Sequence, residues 1–115
     1  MDSSLRPDGD EIAVGHVTEL VEQGAVLLDV REPYEWDAGH APQAVHIPMG
    51  MLTLDGLPAG RPLLVVCHLG ARSAAVVDAL RRADVEALNI RGGMAAWATA
   101  GLPVVTDTGA PGSVV

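Results

Sequence analysis

The sequence holds one cysteine, Cys67, in the stretch Leu63-Leu64-Val65-Val66-Cys67-His68-Leu69-Gly70-Ala71-Arg72-Ser73. Four apolar residues read as a buried strand, and the Gly-containing turn after them ends at an arginine. From Ala74 onward, Ala74, Val77 and Leu80 recur at helical spacing. A cysteine at that junction faces the N–H groups of the turn and the positive end of a helix dipole. Both favour the thiolate, which is the reactive form of the residue. Cys67 is therefore the candidate nucleophile, expected to ionise below an ordinary thiol. Gly70 permits the tight backbone path. Arg72 closes the turn as a permanent cation, expected to hold it in shape by binding a carboxylate and backbone carbonyls together. His68 has the chemistry to titrate near neutrality and steer an anion, or it points to solvent.

These residues need a scaffold, and the chain alternates strand and helix signals. Strands are expected over Glu11-Ile12-Ala13 (an edge), Ala25–Val30, Ala44–Ile47, Leu63–Val66 and Val85–Ile90. Helices are expected around Val17–Val21 (ended by Gly24), over Pro33–Ala38, from Ala74 to about Ala83, and over Met94–Ala100. The segment from Met49 to Arg61 reads mainly as connection. Asp78 and Arg82 are spaced to pair on the wet face of their helix, and Trp97 reads as core packing. The pattern predicts an α/β fold, a mostly parallel five-stranded sheet with helices on both faces. Sites in such sheets form at the carboxyl ends of strands, where Asp29, His46 and Cys67 all fall. Residues 1–10 read as a loose polar tail, 11–104 as the domain and 105–115 as a second mobile tail.

Composition removes other chemistries. The 115 residues fit one domain with an aliphatic core, since Phe is absent. The 7 basic residues are all arginine, so lysine Schiff-base chemistry is excluded. A formal net charge of −8 makes nucleic acid an unsuitable partner. A lone cysteine forms no intrachain disulfide, and the 4 histidines show no metal-ligand spacing with it, so no metal or other cofactor is expected. No secretory leader or membrane-spanning run is visible, and a reducing cytoplasm is the simplest location.

Four stretches together resemble single-domain rhodaneses, the sulfurtransferases that carry sulfur as a cysteine persulfide. Leu27-Leu28-Asp29-Val30-Arg31-Glu32 resembles the strand-end Asp-x-Arg element of that family. Glu35-Trp36-Asp37-Ala38-Gly39-His40-Ala41-Pro42-Gln43-Ala44-Val45-His46-Ile47-Pro48 resembles its Gly-His-Ile-Pro-Gly-Ala stretch. Cys67 to Ser73 matches the active loop, and Gly92-Gly93-Met94-Ala95-Ala96-Trp97 matches its Gly-Gly-x-x-x-Trp signature. The matches occur in the family's order and cover most of the chain.

The resemblance implies a rhodanese-like three-layer fold and a Cys67 nucleophile cradled by His68, Leu69, Gly70, Ala71 and Arg72. It also implies an ion pair between Asp29 and Arg31 that orients the loop, with Glu35 beside the site and Gly39 and His40 fixing a turn. Cys67 to Arg72 counts six residues, the length of sulfur-transferring members; phosphatase relatives use a loop one residue longer. Such a loop suits one sulfur atom, its N–H groups converging on the outer sulfur of a persulfide. The expected activity moves sulfane sulfur from thiosulfate, a persulfide or a polysulfide to a thiol or cyanide, directly or through a sulfur-relay protein. Members that favour thiosulfate often place extra cations at the loop, whereas here the variable positions are His68, Leu69 and Ala71, and nearby Glu35 is acidic. A small phosphatase or arsenate reductase on the same fold, and a non-catalytic binding module, are the alternatives.

Overall fold

The computed structural model describes residues 9–115; expectations for residues 1–8 lie outside the described part. The strands are β1 (Glu11–Ile12), β2 (Val26–Asp29), β3 (Val45–His46), β4 (Leu63–Val66) and β5 (Ala87–Ile90). They form one sheet in the order β1-β5-β4-β2-β3, with every pairing parallel. The helices are α1 (Val17–Glu22), α2 (Pro33–Ala38), α3 (Ala71–Arg82) and α4 (Gly93–Thr99). The α/β layering and the five parallel strands agree with the sequence reading.

β4 occupies the centre because it can be buried on both faces: all four of its side chains are 0% exposed. Successive strand residues point to opposite faces. Leu64 and Val66 accordingly pack with Val17, Met94 and Trp97 from α1 and α4. Leu63 and Val65 pack with Val76, Val77 and Leu80 from α3. The pairing Asp29↔Val66 brings the ends of β2 and β4 level, so Cys67 emerges at the carboxyl edge. Trp97 is buried as expected, and its indole N–H donates to the Pro103 carbonyl at 2.8 Å. Arg82 and Asp78 pair at 3.2 Å on the exposed side of α3.

Asp10 and the C-terminal segment are tied in more firmly than composition suggests. The Asn89 N–H donates to the Asp10 carbonyl, and the Asp10 carboxylate meets Arg81 at 3.0 Å. Residues 105–115, expected to be a loose tail, fold back on the domain: Val105 bridges antiparallel to His40 and to Pro111. The Ser113 N–H donates to the Ala38 carbonyl at 2.9 Å, and the Trp36 indole N–H to Asp107 at 3.0 Å. Small residues permit this close backbone packing, which hydropathy does not signal.

Candidate active site

α3 begins at Ala71 instead of the expected Ala74, and that shift builds the site. Gly70 takes the N-cap position at φ 112°, a left-handed conformation that favours glycine, and it has no side chain to cap the orphan N–H groups of the first turn. The Cys67 sulfur does so instead. Sγ accepts the Gly70 N–H at 3.1 Å, the Ser73 N–H at 3.4 Å and the Ser73 hydroxyl at 3.3 Å. Burial of Cys67 pushes its pKa up. The Ser73 hydroxyl and the N–H groups of Ser73, Gly70 and Arg72 outweigh this, and the thiol is held below its ordinary value.

The loop's carbonyls are satisfied from beneath. α4 donates Met94 N–H to the Cys67 carbonyl at 2.8 Å and Ala95 N–H to the His68 carbonyl at 3.0 Å. This requires Gly93: at φ 61° a Cβ there would lie 2.5 Å from both carbonyl oxygens. The Gly70 carbonyl accepts from Ala74 N–H at 3.0 Å and from the Asn89 amide at 3.2 Å. Asn89 Oδ1 in turn accepts the Ser73 hydroxyl at 2.6 Å. One hydroxyl proton therefore faces both the amide and the sulfur.

Ser73 and Asn89 are the site residues that motif reading passed over. Ser73 looks like the start of an ordinary helix. The available signal for Asn89 was an amide in the middle of an apolar strand, since a buried polar residue is more informative than another aliphatic one.

Arg72 does not bind the loop carbonyls, contrary to expectation. Its guanidinium makes two parallel bonds to Glu35, Nη1 to Oε1 and Nη2 to Oε2, each 2.8 Å. Oε1 of Glu35 also accepts the Glu32 N–H at 2.9 Å, anchoring the carboxylate at the start of α2. The bonds from Arg72 outweigh burial and hold the Glu35 pKa at about 2; the same pairing raises that of Arg72.

Asp29 and Arg31 do form the expected ion pair, at 2.8 Å and fully buried. Arg31 donates to the Gly39 carbonyl at 2.8 Å, tying β2 to the connection between α2 and β3. Its influence on the site runs through Glu35, whose ionised form its charge favours. His46 and His40 stack against Trp36 at 4.6 and 3.5 Å, which gives His40 the architectural place expected of it. His68 is half-buried, while Leu69 and Ala71 are exposed on the loop. Among the described residues no group of three or more His, Cys, Asp or Glu converges to hold a metal. No described helix is long and apolar enough to cross a membrane. The arrangement favours the thiolate form of Cys67 in the field of a guanidinium whose charge Glu35 compensates.

Comparison with known proteins agrees with this geometry. The Rhodanese-like domain family model matches residues 14–100. The chain is 34% identical over 90 residues to a sulfurtransferase of Allochromatium vinosum, covering 76% of this chain and 84% of that protein. It is 37% identical over 108 residues to the uncharacterized protein slr1261 of Synechocystis, covering 90% of this chain but 60% of that longer protein. A rhodanese-related protein from Thermoplasma volcanium superposes with a TM-score of 0.77 at 30% identity, covering 84% of this chain and 98% of that one. The chain belongs to the family of rhodanese-like domains.

Proposed function

We propose that this domain is a sulfurtransferase that carries sulfane sulfur on Cys67. The observation that carries the reading is the set of donors on Sγ at the start of α3, from the Gly70 N–H, the Ser73 N–H and the Ser73 hydroxyl. They stabilise the negative sulfur that both half-reactions require. In the first, the Cys67 thiolate attacks the terminal sulfur of the donor. A bond forms between the two sulfurs, the donor's own bond to that sulfur breaks, and its electron pair leaves with sulfite or a thiolate. In the second, an acceptor thiolate or cyanide attacks the outer sulfur, and the electron pair of the S–S bond returns to Cys67. Ser73 is placed to donate its hydroxyl proton's hydrogen bond to that returning thiolate. With one cysteine in the sequence, an accepting thiol belongs to another molecule, a small thiol or a relay protein.

Parallel incubation with thiosulfate, an inorganic polysulfide and an aryl phosphate tests the proposal. Intact mass is expected to rise by one sulfur atom with a sulfur donor, and subsequent cyanide to yield thiocyanate and restore the mass. Phosphate release would indicate a phosphatase, and neither response would indicate a binding module. Cys67→Ser is expected to remove sulfur uptake while leaving the circular dichroism spectrum unchanged.

A further inference from the structure

We propose that Glu35 sets the donor preference of this site, disfavouring donors with a sulfonate on the transferred sulfur and favouring organic persulfides. The inference rests on the sulfurtransferase reading and adds the substrate class.

Arg72 is the cation that closes the Cys67 loop, and both of its terminal nitrogens are committed to one carboxylate at 2.8 Å. That carboxylate is 5% exposed and has a second anchor in the Glu32 N–H, so an incoming anion does not displace it by a simple side-chain swing. An approaching dianion meets a compensated pair, whose attraction is far below that of a bare guanidinium. Among the other described arginines, Arg31 is buried on Asp29, Arg81 holds Asp10, Arg82 holds Asp78, Arg91 holds Glu11, and Arg61 donates to the Pro58 and Gly60 carbonyls.

The rim has the opposite character. Leu69 is 66% exposed on the loop, and Tyr34, beside Arg72, is 69% exposed. In thiosulfate the sulfonate is bonded directly to the transferred sulfur, so it must stand next to this compensated, partly apolar rim. An organic persulfide places carbon one atom further out and leaves as a thiolate. It asks for no additional cation at the loop.

Glu35→Gln is the discriminating substitution, since Gln retains an oxygen for the Glu32 N–H but leaves Arg72 uncompensated. The first measurement needs no transfer activity: the rate of Cys67 alkylation by anionic iodoacetate divided by that by neutral iodoacetamide. This ratio is expected to rise about tenfold in Glu35→Gln, the scale of one uncompensated charge near the sulfur. In the unsubstituted protein the ratio is expected not to fall with added salt, because no net cation is there to be screened. This arm stands even where the variant fails to fold.

The second measurement compares sulfur uptake from thiosulfate and from cysteine persulfide. The variant is expected to shift kcat/KM toward thiosulfate, chiefly through KM. An unchanged alkylation ratio, a ratio in the unsubstituted protein that falls with salt, or an unshifted donor preference would overturn the proposal. Absence of uptake from every donor would refute the sulfurtransferase reading instead, and the alkylation ratio would still decide whether Glu35 governs anion approach.

Discussion

Two arginine–carboxylate pairs lie on this edge of the molecule, both closing at 2.8 Å, and they have different work to do. Asp29 and Arg31 are 0% exposed and lock β2 to the Gly39 carbonyl. Full burial carries a desolvation cost, and Arg31 Nη1 is left without a hydrogen-bond partner. Glu35 is nearly buried, but Arg72 keeps 37% of its side chain in solvent, two residue positions from the cradle carbonyl of Gly70. The first pair specifies where the chain turns. The second sets the charge that a reactant meets. Residue type and distance do not separate these roles; burial and placement relative to Cys67 do.

The contrast can be broken by substitution. Arg31→Met strands the buried Asp29 carboxylate, and urea denaturation is expected to show a loss of about 3–5 kcal/mol. Near-parental stability would mean that the pair is not architectural. Asn89→Ala removes the donor to Gly70 and the acceptor of the Ser73 hydroxyl, with an expected cost of about 1–3 kcal/mol. Transfer should slow as well, and a stability loss with unchanged transfer would detach Asn89 from the site.

Arg72→Lys keeps the charge but loses the two-pronged contact with Glu35. Because Arg72 is partly exposed, the stability cost is expected to stay within about 1 kcal/mol. Misplacement of the loop is expected to slow transfer about 10- to 100-fold. Unchanged turnover would show that lysine suffices and that geometry at Arg72 is not required.

The smallest effect is the acid limb of stability. Glu35 is lowered from 4.5 to about 2 in the folded protein, so its pairing contributes stability above pH 4.5. That contribution should fade as pH falls from 4.5 toward 2 and should be missing from the corresponding melting curves of Glu35→Gln. An identical acid limb in both proteins would assign acid unfolding to other carboxylates.

Much of this was legible in the residues. Unbroken apolar runs at Leu63–Val66 and Leu27–Leu28 announce strands buried on both faces, and the Cys67–Arg72 spacing announces the cradle. The early start of α3 was not legible, because its first turn is held by the Cys67 sulfur instead of by an apolar stripe. Glu35 lies 37 positions from Arg72, and Asn89 lies 16 from Ser73, contacts that only the assembled fold creates. The fold-back of the C-terminal segment was illegible for a related reason: its anchors are mainly backbone hydrogen bonds, which small side chains permit but do not encode.

The central claim is that the donors converging on Cys67 stabilise its thiolate against the cost of burial. The pH dependence of iodoacetamide alkylation at Cys67 tests it most directly, with Ser73→Ala as the comparison. The account predicts an inflection below that of an ordinary cysteine, moving upward in Ser73→Ala as the hydroxyl donor is lost. An inflection at or above the ordinary thiol value in the unsubstituted protein would contradict it.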